Sequence, residues 1–149
     1  MKVAQIILFL FFLTSDVFAF SSEKFGLGLA VGEPGGVTAF LRTNDRSFVQ
    51  AFLGPNLVVG GDYNFAFTRL VPSSPNITPY LGFGGFLFAG RTWTYSRGTT
   101  GFGIRMPVGL LIKVPEAPFH FHLEIAPSTT INPFMDSFAA FLAGVRFLF

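Results

Sequence analysis

The sequence predicts an all-β fold, a closed antiparallel up-and-down transmembrane β-barrel of about eight strands, on three observations. Hydrophobic residues make up 50% of the 149-residue chain and charged residues only 12%, against roughly a quarter in soluble domains. Large apolar residues alternate with small or polar ones through most of the chain, which is the period of a β-strand. The apolar runs, of about eight residues at most, are too short for a membrane-spanning helix of roughly 20 residues.

We interpret residues 1–19 as a signal peptide, which leaves residues 20–149 as one β-barrel domain. Lys2 supplies the positive start, residues 3–13 form the apolar segment, and VFA before Phe20 suits a signal peptidase. A retained helical anchor would need a longer apolar segment. Without cysteine, a secreted chain has neither a disulfide framework nor the lipid attachment point of a lipoprotein. The net charge of +2, without a basic run, gives no reason to expect nucleic acid as a partner.

Strands and turns follow one another from residue 24 to the C-terminus. The first strand, KFGLGLAVG, sets large apolar residues against glycine and alanine and ends at the turn EPGG. VTAFLRT and SFVQAFLG flank ND, which predicts a tight hairpin. LVVGGDYNFAFTRL leads through the loop VPSSPN to ITPYLGFGGFLFAG. After the polar loop RTWTYSRGTT, GFGIRMPVGLLIKV forms a hairpin through PEAP with FHFHLEIAP, and the loop STTINPFMDS leads to the last strand, SFAAFLAGVRFLF.

Alternation alone fits two kinds of barrel, which are inside-out versions of each other. A soluble lipocalin-like barrel turns its apolar face inward, and a transmembrane barrel turns it outward. The faces opposite the large apolar residues carry mostly glycine, alanine and a few polar groups, too little charge to solvate a whole exterior. Lipid offers no partner for an open sheet edge, so a membrane barrel must close. The composition therefore favours the closed transmembrane barrel, with a soluble lipocalin-like ligand binder as the alternative.

The C-terminal GVRFLF is apolar at alternate positions and ends on an aromatic residue, with Phe147 and Phe149 as its signal side chains. It resembles the C-terminal insertion signal of Gram-negative outer-membrane barrels. GLAVGEPGGVTAFL, GIRMPVGLLIKVP and FHLEIAP resemble a family of small, largely uncharacterised outer-membrane β-barrel proteins. The resemblance implies insertion by the outer-membrane assembly machinery and contact with outer-membrane lipid and lipopolysaccharide. It gives no role to His120 or His122, and the family has no settled function.

An even number of strands with both termini in the periplasm predicts which residues line the lumen. EPGG, GPN, RTWTYSRGTT and STTINPFMDS then face out of the cell, and ND, VPSSPN and PEAP face the periplasm. Successive side chains of a strand point to opposite faces, an alternation that we call strand parity, and it turns these polar side chains inward. Buried charges need partners, so we expect a structural polar network in the lumen. Its members are Asp62, Arg105, Glu124 and Arg146, with His120 and His122 attached. In a regular last hairpin, Arg146 lies across from His120.

Two local features complicate this pattern. The facing of residues 37–43 stays open, because a bulge at the glycine-rich turn reverses it, and Arg42 then faces either the lumen or the lipid headgroups. Pro107 has no backbone N–H to donate to a neighbouring strand, and a closed sheet has no free edge where such a residue could lie. We therefore expect a local bulge at Pro107.

Two sharper hypotheses concern chemistry in the lumen. His120, His122 and Glu124 alternate along one strand face and can bind zinc or copper. Glu124 or His122 with Ser128 can act as base and nucleophile of a lipid-modifying enzyme, but His122 and Ser128 lie about 20 Å apart along a strand. Titratable groups lining a polar lumen explain the same residues. We therefore assign no catalytic, cofactor-binding or metal residue and expect neither an enzyme nor a cofactor.

A filled polar lumen predicts a structural or interaction role, with a narrow or gated pore for small solutes as the alternative. Small residues such as those of FAAFLAG favour packing between barrels and a homo-oligomer. The loop RTWTYSRGTT holds side chains that suit an interfacial aromatic belt with basic residues beside lipopolysaccharide phosphates. These loop candidates for interaction are Arg91, Trp93, Tyr95 and Arg97.

Overall fold

A computed structural model describes residues 24–70, 76–90, 99–114, 117–133 and 135–149, which form one antiparallel sheet with its turns. The predicted signal peptide and the four loop candidates lie outside the described residues. Among the described residues, no helix is long and apolar enough to cross a membrane. The nine strands are β1 (Phe25–Gly32), β2 (Gly36–Asn44), β3 (Ser47–Gly54), β4 (Val58–Ala66), β5 (Asn76–Gly90), β6 (Thr99–Arg105), β7 (Val108–Lys113), β8 (Phe119–Asn132) and β9 (Asp136–Leu148). A short 3-10 turn, Pro55–Leu57, separates β3 from β4.

Hydrogen bonding runs through the strands in a ring. From β1 to β5 each strand pairs with the next, β5 pairs with both β6 and β7, both of these pair with β8, and β9 joins β8 back to β1. β6 and β7 are two parts of one strand position, so the ring passes through eight strand positions. The predicted all-β antiparallel fold is confirmed.

The strands are staggered around the ring. A row of directly paired residues begins at Leu148 in β9, passes through Asp62 in β4 and Arg105 in β6, and comes back to β9 at Phe138. The row therefore returns to β9 at position 138, ten residues away from position 148 where it began, and this offset is the stagger of the ring. For eight strands this stagger tilts each strand by about 40° to the axis of the ring. Residues that are distant in the chain therefore reach the same depth inside it.

Burial alternates along the strands. In β8 every even-numbered residue from His120 to Thr130 is buried. Large apolar side chains occupy the outward positions and remain exposed, as Leu29 does at 65% and Phe141 at 60%. No Asp, Glu, Lys or Arg occupies an outward position in the strands that the structure describes. The outward face is therefore an uncharged apolar surface.

The sequence left open which side chains of residues 37–43 point inward, and the structure shows the same regular alternation here as in the neighbouring strands. Thr38 and Phe40 are buried inside the ring. The register shift of this hairpin comes at its far end, between residues 42 and 44. There Arg42 Nη1 donates a hydrogen bond to the Leu70 carbonyl at 2.9 Å. The glycine-rich turn therefore does not reverse the strand.

The predicted bulge at Pro107 is wrong. The register of β6 and β7 against β5 and β8 is the same before and after the gap between them. The Met106 N–H donates to the Pro127 carbonyl at 2.9 Å, and the Pro107 carbonyl accepts from the Gly82 N–H at 2.7 Å. The strand thus accommodates its proline by losing a ladder bond, without an extra residue.

The predicted loop at residues 128–137 is mostly strand. β8 continues to Asn132 and β9 begins at Asp136, which leaves residues 133–135 as the connection. The β-branched residues 129–131 favour an extended backbone and pack well on a pleated surface. This preference outweighs the polar composition that suggested a loop.

Two apolar clusters fill the interior of the ring near its two ends. We call the end that holds Phe25 and Phe149 the terminal end, and the end with the turn at residues 33–35 the turn end. The terminal-end cluster consists of Phe40, Phe48, Tyr80, Leu111 and Leu148. The turn-end cluster consists of Phe52, Val58, Phe86 and Phe88, with Phe138 packed against it.

The contact between the first and last strands depends on Gly28. A Cβ at this residue would lie 1.9 Å from the Val145 carbonyl oxygen, so β1 and β9 approach each other more closely than alanine permits. We expect Gly28→Ala to lower the midpoint of urea unfolding, followed by circular dichroism, because the closing pair of strands must separate. Gly61→Ala is the matched control, since a Cβ there meets only the Gln50 carbonyl oxygen, at 3.2 Å. Equal midpoints for the two variants would contradict this role of closure.

Candidate functional site

Four charged side chains from four strands meet inside the ring, and we call them the ion cluster. They are Asp62 of β4, Arg105 of β6, Glu124 of β8 and Arg146 of β9, and each is at most 3% exposed. Strand parity turns them inward, and the stagger of the ring brings strands on opposite sides to a common depth. Two cations and two carboxylates leave the ion cluster without a net formal charge.

Arg105 is the centre of the ion cluster. Its Nε lies 3.2 Å from Asp62 Oδ1, and its Nη2 contacts Glu124 Oε1. The guanidinium carbon lies 4.7 Å from the centre of the Phe52 ring, a cation–π arrangement. A buried charge is costly unless it is paired and hydrogen-bonded, so Arg105 and its two carboxylates depend on one another.

Two uncharged side chains extend the ion cluster. Gln50 Nε2 donates to Glu124 Oε2 at 2.8 Å and to Asp62 Oδ2 at 3.4 Å. The Tyr80 hydroxyl donates to the same Glu124 oxygen at 2.7 Å. The side-chain oxygen of Gln50, Oε1, accepts from Arg146 Nη2 at 2.6 Å. Gln50 therefore joins Arg146 to both carboxylates.

Sequence reasoning missed Gln50, Tyr80 and Thr38 as members of this network. Thr38 Oγ1 accepts a hydrogen bond from Arg146 Nε at 3.0 Å. A signal existed for Gln50, the one amide side chain in SFVQAFLG, and for Tyr80, which shares the parity of Gly82 and Gly84 in its strand. Thr38 lies in the segment whose facing the sequence left open.

The two histidines lie inside the ring but beside the ion cluster. His120 pairs directly across β9 with Arg146 and across β7 with Lys113, so cationic residues flank it on both neighbouring strands. Its ring packs edge-on against Phe40, with the ring centres 4.9 Å apart. Among the described residues, Nε2 of His120 and both ring nitrogens of His122 are buried without a hydrogen-bond partner. The flanking cations disfavour a further cation beside His120.

The residues of the metal and enzyme hypotheses are not brought together. Both carboxylate oxygens of Glu124 are engaged within the network. Within the described ranges, no three His, Cys, Asp or Glu residues form a group that could hold a metal ion. Ser128 donates its hydroxyl to the Ala126 carbonyl at 2.9 Å and lies in the same strand as His122, six positions further along. This geometry contains no paired base and nucleophile.

Aromatic layers cover the ion cluster on both sides. In the terminal-end cluster, the Phe48 ring lies 5.0 Å from Phe40 and 5.1 Å from Tyr80. In the turn-end cluster, the Phe86 ring lies 6.2 Å from Phe88. A cavity beside these last two rings measures about 30 Å³, which is room for about one water molecule. The ion cluster therefore lies between two clusters of aromatic and aliphatic side chains, and further polar residues such as Asn64 and Thr78 are buried beside them.

The two residues of the predicted C-terminal insertion signal belong to an aromatic group at the terminal end. The Phe147 ring lies 5.5 Å from Phe119 and 5.1 Å from Phe149, and the Phe149 ring lies 6.1 Å from Phe25. The Phe149 N–H donates to the Phe25 carbonyl at 2.8 Å. The last residue of the chain is thus tied to the first strand of the ring.

No protein-family model, curated protein or solved structure matches this chain. The resemblance to small outer-membrane barrel proteins stays a prediction from the quoted motifs.

Removal of Arg105 tests the energetics of the ion cluster. We expect Arg105→Met to lower the free energy of unfolding by roughly 3–5 kcal/mol, because it leaves two carboxylates buried and facing each other. The measurement is urea unfolding followed by circular dichroism. Arg46→Met, at the exposed turn between β2 and β3, is the control and should change stability little. Equal losses in both variants would mean that Arg105 does not hold the interior together.

Proposed function

We propose that this protein is a small integral β-barrel protein of the bacterial outer membrane, with a filled polar interior and a structural or interaction role. The observation that carries the proposal is the distribution of charge. Outward positions of the described strands hold no Asp, Glu, Lys or Arg, while the ion cluster is buried inside the ring. Arginine or lysine on the lipid face of a membrane barrel costs about 2–4 kcal/mol at the midplane, so such faces stay uncharged.

Closure of the ring supports a membrane location independently of charge. Lipid offers no hydrogen-bond partners to backbone N–H and C=O groups, so a sheet that spans a membrane must close on itself. β1 and β9 pair directly from Gly26 to Gly32. β8 has 14 residues and β9 has 13, and a tilted strand needs about 9–11 to cross the hydrocarbon. The strands are therefore long enough to span.

The aromatic group at the terminal end supports one orientation of the barrel. Aromatic side chains form girdles where a membrane barrel meets the two interfaces. Phe25, Phe119, Phe147 and Phe149 gather at the end that we assign to the periplasm, in keeping with the predicted signal peptide. We further propose that the outer-membrane assembly machinery inserts the barrel and recognises Phe147 and Phe149 before the ring closes.

The layered interior favours a filled barrel over the alternatives. A conducting path would require the ion cluster and both aromatic clusters to move aside, which argues against a pore for small solutes. A soluble lipocalin-like binder needs charged residues outward and apolar residues inward, the reverse of the faces seen here. Ser128 and His122 are too far apart in β8 for a catalytic pair, which argues against a lipid-modifying enzyme.

A homo-oligomer forms part of the proposal through the outward face. In FAAFLAG, Ala140 is buried inside the ring and Ala139 is exposed outside it. A second set of small outward residues is directly paired across four strands and forms a flat band between rows of larger side chains. These residues are Ala39, Ala51, Gly61 and Gly85. Small residues allow the backbones of two membrane proteins to approach closely.

An outward charge distinguishes a lipid-facing surface from a water-facing one. Ile125 is 49% exposed at the middle of β8. We expect Ile125→Arg to lower the free energy of unfolding by about 2–4 kcal/mol in phospholipid vesicles, since it buries a cation in hydrocarbon. Leu57→Arg is the control, because Leu57 is 68% exposed in a turn outside the strands. If Ile125→Arg changed stability no more than the control does, as at a water-exposed site, the membrane proposal would fail.

A further inference from the structure

The wall of the ring lacks a ladder hydrogen bond between β6 and β8. Met106 and Pro127 face each other, and the Met106 N–H donates to the Pro127 carbonyl at 2.9 Å. In an antiparallel pair of this kind each residue normally gives and receives one bond. The Met106 carbonyl instead faces a proline nitrogen, which carries no hydrogen. The ladder therefore provides no donor to this carbonyl.

A second gap lies on the opposite side of the same strand. The Pro107 carbonyl accepts from the Gly82 N–H at 2.7 Å, while the Gly82 carbonyl faces the Pro107 nitrogen. The side chain of Pro107 is fully buried inside the ring. The two gaps are chemically alike, but only the one at Pro127 opens on the outward face.

A groove of about 460 Å³ lies at the gap at Pro127, and six of its nine lining residues face outward, while Arg105, Ser128 and Phe138 face inward. Its volume falls in the range of roughly 300–1,000 Å³ typical of small-molecule sites. Its outward lining residues are Ile104, Met106, Pro127, Thr129, Ser137 and Ala139. Four of these six side chains are apolar, and the exceptions are the two hydroxyl groups.

The two hydroxyls of the groove are hydrogen-bonded to each other. Thr129 Oγ1 and Ser137 Oγ lie 3.0 Å apart and are exposed. One O–H is used between them, so the other remains as a donor. The groove thus offers one acceptor, the Met106 carbonyl, and one donor, the second hydroxyl. Thr129 follows Pro127 by two positions, about 6.6 Å at strand rise, so the donor and the acceptor are neighbours.

We propose that this groove binds a β-hydroxyacyl chain of lipopolysaccharide. The inference rests on the proposed function, because a carbonyl or hydroxyl group without a hydrogen-bond partner is strongly unfavourable in hydrocarbon. A purely apolar ligand would leave both the Met106 carbonyl and the free hydroxyl without a partner. The hydroxyl group of the acyl chain donates to the Met106 carbonyl. The carbonyl group of the same acyl chain accepts from the free hydroxyl of the Thr129 and Ser137 pair. The hydrocarbon tail lies along Ile104 and Ala139.

The position of the groove in the membrane indicates which lipid supplies the acyl chain. It lies towards the turn end, where β8 and β9 are joined by residues 133–135, and the proposed topology directs this end out of the cell. Lipopolysaccharide occupies the outer leaflet there. Phospholipid tails carry no hydroxyl group, so they offer a carbonyl acceptor without the donor that Met106 requires.

The test compares two proline replacements in the full mature chain. Protein in nanodiscs of phosphatidylethanolamine and lipopolysaccharide is transferred to detergent, and the lipid that stays bound is counted by native mass spectrometry. We expect wild-type protein to retain lipopolysaccharide in preference to phosphatidylethanolamine. Pro127→Val supplies the missing N–H to Met106 and should reduce that preference about fivefold to tenfold, the value of one hydrogen bond. Pro107→Val supplies the same N–H to Gly82, away from the groove, and should leave the preference unchanged.

A second pair of variants tests occupancy of the groove by bulk. Ala139→Phe fills the groove and should abolish the preference for lipopolysaccharide, whereas Val59→Phe adds a ring at an outward valine of β4, 45% exposed and away from the groove, and should not. Equal retention of the two lipids by wild-type protein, or an undiminished preference in both Pro127→Val and Ala139→Phe, would overturn the proposal. Each sample is also run unboiled in SDS. A heat-modifiable band without lipid preference defeats only this inference, and loss of that band in wild-type protein defeats the proposed function as well.

Discussion

Every strand of the ring is paired on both sides, and this closure is the constraint on which the rest of the structure depends. A closed sheet has one inward and one outward face, and strand alternation assigns each side chain to one of them. The eight strand positions and their stagger of ten residues then set how much interior there is to fill. Glycine at position 28 allows β1 to meet the backbone of β9 closely enough for the ring to close.

The interior that results is narrow enough for side chains from opposite strands to touch. Arg105 of β6 meets Asp62 of β4 and Glu124 of β8, and Gln50 carries the contacts on to Arg146. Burial of charges is costly, and pairing offsets part of that cost only when the remaining polar atoms are also bonded. We infer that the ion cluster sets which strands face each other across the ring, while the aromatic clusters above and below it exclude water.

Much of this arrangement could be predicted from the sequence, because alternation is regular wherever a strand has no bulge. The regular last hairpin puts Arg146 opposite His120, and strand parity turns Asp62, Arg105 and Glu124 inward. Partners are harder to predict than facing. Gln50 contacts Glu124 across 74 positions of the chain, and such a contact depends on the stagger of the whole ring, which no local pattern encodes.

The errors have local causes. A proline in a closed sheet suggested a bulge, but Pro107 needs none, since the sheet gives up one hydrogen bond and keeps its register. The polar composition of residues 128–137 suggested a loop, yet β-branched residues extend β8 to Asn132. Both errors come from treating a single residue type as decisive where the pairing of neighbouring strands determines the outcome.

The most direct measurement is the electrophoretic mobility in SDS of the mature protein from the outer-membrane fraction, unboiled against boiled. We predict that the protein is found in this fraction and that the unboiled monomer runs faster than the boiled one, because the closed ring resists SDS. A discrete higher band that collapses on heating would add a stable oligomer. Protein found instead in the soluble periplasm, with the same mobility before and after boiling, would contradict a closed barrel whose apolar face meets lipid.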